Sequence, residues 1–294
     1  MIVPEEERLR LHEDPVLFRE AVELTTAETG LASRLVEKDY FCTVVLQHMA
    51  ASAADLVFRG GTCLAKVHAG FYRLSEDLDF LISTPVDASR GERRRRVEAS
   101  KAAVAAIGGP GLRALSPLTG ANDSRQYAAV VSYRSLLGAH EEQIKVEIGL
   151  REPLLMPAVP GEARTLLLDP VSREAMAPAV RVSCVSRMEA LAEKARAALS
   201  RREVAIRDFY DMDHAVRRLA LRLDDPEFVN FVRLKLAIPA SEPVDVSNAR
   251  LASLRLQLEA QLKPVLRDRD FAGFDLDRAF ASVAELAAAL ALNP

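Results

Sequence analysis

The chain has 294 residues, 49% of them hydrophobic and 28% charged, and no Trp. That balance excludes a disordered chain and allows a sizeable core in one large domain or two ordinary ones. A formal net charge of −3 excludes a general polycation, so any nucleic-acid contact must come from a local basic patch.

Met1 to Glu7 is acidic and lacks a basic n-region, so no signal peptide is expected. Asp14-Pro15 predicts a capped helix running to Thr29, where Gly30 ends it. A second helix is predicted from Ser33 to about Ala53, with Glu37-Lys38-Asp39-Tyr40 near its start. The longest uncharged stretch, 41–54, is interrupted by Gln47 and His48 and is too short for a bilayer span of about 20 apolar residues. Leu56-Val57-Phe58 reads as a buried strand, Gly60-Gly61 as a turn opening a short helix from Thr62, and residues 78–82 as another strand.

Gly91 to Ala106 predicts a helix bearing Arg93-Arg94-Arg95-Arg96, ended by Gly108-Gly109-Pro110-Gly111. That run is either an RNA-backbone contact or a solvated face, tempered by Glu92 and Glu98. Tyr127–Tyr133 and Ile144–Leu150 predict a hairpin turning at Gly138-Ala139-His140. Pro153, Pro157, Pro160 and Gly161 predict a loop-rich stretch, and Arg181–Val185 a last strand. From Ser186 a capping box, Ser186-Arg187-Met188-Glu189, opens a helical region, with helices predicted at about 187–201, 206–221, 226–236, 246–266 and 276–291. The expected organisation is α+β: a domain over 1–185 with a mixed sheet and flanking helices, then a helical domain over 186–294.

Cys42, Cys63 and Cys184 lack C-x-x-C spacing and lie in apolar stretches, so they read as reduced core residues of a soluble cytoplasmic protein. His12, His48, His68, His140 and His214 show no ligand spacing, and no zinc is expected.

The chemistry concentrates around Phe58-Arg59-Gly60-Gly61-Thr62 and Arg73-Leu74-Ser75-Glu76-Asp77-Leu78-Asp79-Phe80. Alternation along a strand puts Asp77 and Asp79 on one side, about 7 Å apart, with Leu78 and Phe80 facing the core. Two neighbouring carboxylates repel each other unless a cation intervenes, and an all-oxygen pair suits Mg²⁺ or Mn²⁺ with substrate phosphates. Gly60 and Gly61 would let backbone N–H groups approach phosphate, with the Thr62 hydroxyl beside them. In Ile144-Lys145-Val146-Glu147-Ile148, the apolar face leaves Lys145 and Glu147 together, and Glu147 becomes a third ligand if this strand neighbours the aspartates. Lys66, one turn past Thr62, reads equally as a phosphate contact or a surface lysine.

This arrangement resembles the DNA polymerase beta-like nucleotidyltransferase superfamily. In detail it is similar to the AbiEii/AbiGii (MenT-like) toxins of bacterial toxin–antitoxin systems. The matching pieces are Glu37-Lys38-Asp39-Tyr40, Gly60-Gly61-Thr62-x-Leu64-x-Lys66, Arg73-x-Ser75-x-Asp77-x-Asp79, Lys145-x-Glu147, Glu193-Lys194 and Arg207-Asp208-x-x-Asp211.

The resemblance implies an enzyme in which Asp77 and Asp79 hold metal, with Glu147 as the third ligand the strand pattern offers, and Ser75 lines the nucleotide pocket; Lys145 is taken as a nucleotide-binding residue. It also implies that Lys194 meets the triphosphate and that Asp208 or Asp211 closes the site from the helical domain; on the helix itself, spacing offers Arg207 as a partner that orients Asp211. Relatives transfer nucleotides, often from a pyrimidine NTP such as CTP, to tRNA 3′ ends, which blocks translation, and are neutralised by an antitoxin. Left open are an antibiotic nucleotidyltransferase, a protein-nucleotidylating enzyme and a degenerate nucleotide-binding module, along with the general base and the oligomeric state.

Overall fold

The computed structural model describes residues 9–138, 140–239 and 241–292, and the chain divides into two compact units, 1–185 and 186–294. The reading of Met1 to Glu7, and Ala139 of the hairpin turn, lie outside the described residues.

The first unit is built on a mixed sheet flanked by helices. Helix α1, Pro15–Thr29, starts where the Asp14 carboxylate accepts from the backbone N–H groups of Val16 and Leu17. It stops at Gly30, whose φ of 71° is left-handed, so cap and stop are both local effects. Helix α2 (Ser33–Ser52) buries most of its side chains, charged ones included.

Strand β1 (Val57–Arg59) leads directly into α3 (Gly60–Cys63) and a π-helical turn, Leu64–His68. Strand β2 is Leu78–Leu81. The expected helix over 91–106 is two pieces, α4 (Arg90–Arg96) and α5 (Glu98–Ala105), broken at Val97. Then come β3 (Gly108–Gly109), β4 (Leu112–Ala114), β5 (Thr119–Ala121), β6 (Gln126–Arg134), β7 (Glu141–Gly149), β8 (Val159–Ala163) and β9 (Val180–Cys184).

Among the described residues the sheet runs β3-β4-β6-β7-β2-β1-β9-β8, with β5 paired to β6. The β2–β7 and β1–β9 pairs are parallel and the rest antiparallel. One face is apolar: Phe58, Leu78, Phe80, Ile144, Val146 and Ile148 are buried, and α2 packs across β7 and β9. The Phe58 and Phe80 rings lie 5.6 Å apart, and Phe41 of α2 stacks on Tyr133 at 4.0 Å. The opposite face carries the polar residues of the same strands.

Strand β8 occupies the stretch expected to be a loop. Pro160 and Gly161 pair with Ser183 and Val182 there, and proline fits because β8 is the sheet's edge, where one side of the strand makes no ladder.

The second unit is helical: α6 (Arg187–Ser200), α7 (Ile206–Arg218), α8 (Pro226–Leu236), α9 (Asn248–Arg255), α10 (Asp268–Ala272) and α11 (Leu276–Leu292). The Ser186 hydroxyl caps α6 by accepting from the Glu189 N–H. Helices α6, α7, α8 and α11 pack together, with Phe209 stacked on Phe280 and the buried Lys235 ammonium 2.7 Å from Glu189 and 3.1 Å from Glu193. The helix expected over 246–266 is interrupted: after α9 the chain forms a π-helical turn, Leu258–Leu262, and a 3-10 turn, Lys263–Val265. Pro264 cannot continue an α-helix. No helix among the described residues is long and apolar enough to cross a membrane.

Candidate active site

The site is assembled by pairing in the middle of the sheet. Asp79 lies opposite Arg59 of β1 on one side and Glu147 of β7 on the other. Residues in register share a face, so Asp79, Arg59 and Glu147 project together, and Asp77, two residues earlier, follows the same side. Their strand neighbours Leu78, Phe80, Val146 and Ile148 are buried beneath. The sequence could not say whether the Glu147 strand neighbours the Asp79 strand; it does.

Lys145 sits on this face, 3.0 Å from Glu147. Its hydrogen bond to Glu147, and the fields of Glu147, Asp77 and Asp79, hold its pKa above the ordinary lysine value against a partial burial that opposes the charge. Gln126 of β6 donates to the same Glu147 oxygen at 2.9 Å. The face therefore carries three carboxylates with Lys145 among them. Oxygen donors of this kind, gathered on one face, fit a hard divalent cation.

The glycine pair packs against these carboxylates. Gly60 has a φ of 77°, and a Cβ there would lie 2.8 Å from the Asp79 Cβ, so both conformation and space demand glycine. A Cβ on Gly61 would lie 2.7 Å from Arg73 Nη2 and 3.0 Å from Ser75 Oγ. Gly60, Gly61, Ser75 and Asp79 are thus immediate neighbours. Thr62 does not offer its hydroxyl outward, as was expected: it is buried and donates to the Asp77 carbonyl, which pins the turn to the carboxylate strand.

Lys66 departs further from expectation. Its ammonium is buried among the Asp39 carboxylate (2.6 Å), the Thr43 hydroxyl (2.7 Å) and the Asp39 and Arg164 carbonyls, both 3.2 Å away. With its protons directed to these oxygens, Lys66 joins α2 to the π-helical turn. The rest of the Glu37-Lys38-Asp39 motif stitches in the same way. Glu37 accepts from the Ser135 hydroxyl and the Leu136 N–H, and the second Asp39 oxygen accepts from Thr165 and the Leu166 N–H. Lys38 reaches Glu76 at 2.8 Å, and although burial pushes the other way, that bond and the nearby Arg34 hold the Glu76 carboxyl below its usual range. The motif thus steadies the residue just before Asp77.

Sequence reasoning missed Arg59 and Gln126. Arg59 is register partner of Asp79 and pairs with the buried Glu152 at 3.0 Å. Its position just before Gly60-Gly61 was the available signal. The arginine run divides: Arg93 is buried and donates to the Val86 carbonyl, Arg96 pairs with Glu92, and Arg94 and Arg95 are exposed.

Within the helical unit, Lys194, Asp208 and Asp211 come together. Lys194 lies 3.1 Å from Asp208 and 2.9 Å from Asp211, and Arg201 reaches Asp208 at 3.3 Å. The expected Arg207–Asp211 pair is replaced by Lys194–Asp211, because α6 packs on α7 and brings Lys194 to that face.

A family model described as nucleotidyl transferase AbiEii toxin, type IV toxin–antitoxin system, matches residues 44–285. The chain belongs to this family. As an AbiEii-family member it is a nucleotidyltransferase toxin, of a family that uses NTP and divalent metal and acts with an antitoxin. Among solved structures it is similar to MenT4, a nucleotidyltransferase toxin of Mycobacterium tuberculosis H37Rv, with TM-score 0.52, 21% identity, and 92% of this chain and 98% of that one covered. Two Helicobacter pylori proteins are also similar. One, described as a nucleotidyltransferase candidate, has TM-score 0.52 and 14% identity over 88% of this chain and 96% of that one. The other, JHP933, has TM-score 0.51 and 15% identity over 88% and 93%. At these identities the likenesses bear on the fold. No curated protein matches.

Proposed function

We propose that this AbiEii-family protein transfers a nucleotide from an NTP, a pyrimidine NTP such as CTP by family resemblance, to an RNA acceptor. The acceptor is the tRNA 3′ end, and its modification blocks translation. The observation that supports a working site is the register of Asp79 with Glu147, one alternation from Asp77, with Gly60 held bare against Asp79.

In this reading Asp77, Asp79 and Glu147 would hold Mg²⁺ or Mn²⁺. Such ions supply Lewis-acid stabilisation of charge on the phosphate oxygens and the departing pyrophosphate. The reaction forms a bond from an acceptor hydroxyl oxygen to the α-phosphorus, breaks the bond from that phosphorus to the α–β bridging oxygen, and releases the hydroxyl proton along with pyrophosphate. The chain's own contribution is positioning and charge. Lys145, kept protonated by three carboxylates, offers a cation to phosphate oxygens, and Ser75 offers a hydroxyl at the glycine turn. The missing Cβ atoms at Gly60 and Gly61 let Asp79, Arg73 and Ser75 close on the turn, whose backbone N–H groups are the phosphate donors this reading expects. For the helical unit the proposal rests on the family resemblance: Lys194, with Asp208 and Asp211 about it, is the group expected to act on the triphosphate.

The test is incubation with each α-labelled NTP, Mg²⁺ and total cellular RNA. Label on tRNA-sized species, absent with Asp77→Ala and Asp79→Ala, is the expected result. Label confined to protein, to a small molecule, or to no acceptor would overturn the RNA assignment.

A further inference from the structure

Away from the carboxylates, the fold gathers a second set of ligand atoms. Cys63 at the end of α3, His68 at the end of the π-helical turn and Cys184 at the end of β9 place one ligand atom each within 4.8 Å of one another. Both cysteines are buried and His68 is partly exposed. No spacing rule connects positions 63, 68 and 184, which is why the sequence showed none. We propose that Cys63, His68 and Cys184 form a binding site for a thiophilic divalent metal, with Zn²⁺ as the natural occupant.

Tetrahedral coordination with Zn–S near 2.3 Å and Zn–N near 2.0 Å places ligand atoms roughly 3.5–3.8 Å apart, so closing on an ion takes side-chain shifts of about 1 Å. His68 Nε2 lies 2.9 Å from the Val185 carbonyl, to which it can only donate, so the ring's lone pair belongs to Nδ1. A metal-bound histidine is commonly braced in this way.

Room for the cluster comes from the edge strand. A Cβ on Gly161 of β8 would lie 2.7 Å from the Cys184 sulfur and 2.8 Å from Val67, so any other residue would fill the space.

Binding releases the two thiol protons to solvent and leaves two thiolates, a neutral imidazole and a divalent ion. The net charge is zero, which a buried position accepts. The fourth ligand is water, supplied on the partly exposed His68 side. Thiolate softness separates this site from the oxygen face that suits Mg²⁺. Because Cys63 follows Gly60-Gly61-Thr62 directly, the ion would fasten the glycine turn to β9.

The experiment is cobalt(II) titration of reduced, chelator-treated full-length protein, followed by Zn²⁺. Expected are thiolate-to-cobalt charge-transfer absorption saturating at one equivalent, its displacement by Zn²⁺, and a higher Tm with Zn²⁺. Cys63→Ser and Cys184→Ser should each abolish the absorption. His68→Gln, at a partly exposed position that spares the core, should weaken cobalt binding at least tenfold. Asp77→Ala should leave the absorption intact, which separates this site from the proposed catalytic one. No charge-transfer absorption at one equivalent, or unchanged cobalt affinity in His68→Gln, would overturn the proposal.

Discussion

Two charged clusters in the first unit look alike in the sequence and differ in the fold. Glu37-Lys38-Asp39 and Lys66 form a closed set, where buried acid and buried cation meet and each carboxylate oxygen has donors. Asp77, Asp79 and Glu147 form a more open one, half-buried carboxylates on a single sheet face shared with Arg59 and Lys145. Charge closed on itself holds structure together; like charge gathered at a partly open surface invites an ion or a substrate. A motif quoted from a family resemblance can belong to either kind.

The two clusters should differ most sharply in activity. Asp77→Ala or Asp79→Ala should lower nucleotide transfer by about a thousandfold, since metal-held charge stabilisation is worth several kcal/mol, and should leave the melting curve intact. Near-normal transfer in both would refute the division. Asp39→Ala should do the opposite, costing about 3–5 kcal/mol in denaturant unfolding because Lys66 is left buried without its carboxylate. Asp39→Leu combined with Lys66→Met should recover much of that loss, and failure to do so would mean the pair is not a closed set.

Gly60→Ala tests the seam between glycine turn and carboxylates. A positive φ and the Asp79 contact together should cost about 1–3 kcal/mol, and the shift of Asp79 should slow transfer by about 10- to 100-fold. Equal kinetics in Gly60→Ala would show that Asp79 has room to move.

The smallest effect expected is on pH dependence. Burial holds the His214 pKa below 6.5, although Asp211 pulls the other way. The unfolded chain then takes up the proton first, so the stability seen above pH 6.5 declines as pH falls through 6.5 toward the folded value. His214→Gln should flatten that part of a Tm-against-pH curve, and an unchanged slope would exclude His214 as its source.

Much of the candidate site's local arrangement was legible because it is written in neighbouring residues. Asp77 and Asp79 show their common side through the alternation with Leu78 and Phe80, and the Asp14 cap and Gly30 stop of α1 depend only on adjacent residues. Lys66 was ambiguous because its four oxygen partners come from positions 39, 43 and 164, none of them its sequence neighbours. Likewise Lys194 could be matched to Asp211 only once α6 and α7 were packed. Strand β8 was hidden because Pro160 and Gly161 carry a loop signature that only an edge position tolerates.

Taken alone, the amino-acid order determined the limits of α1, the alternation of the paired aspartates and the glycine turn, because each rests on backbone and side-chain preferences spanning a few residues. Packing decided that Glu147 stands beside Asp79, that Lys66 is sealed inside, and that Cys63, His68 and Cys184 converge. Those outcomes depend on which distant strands pair and which helices cover them, and that choice is made by burying the whole apolar face at once.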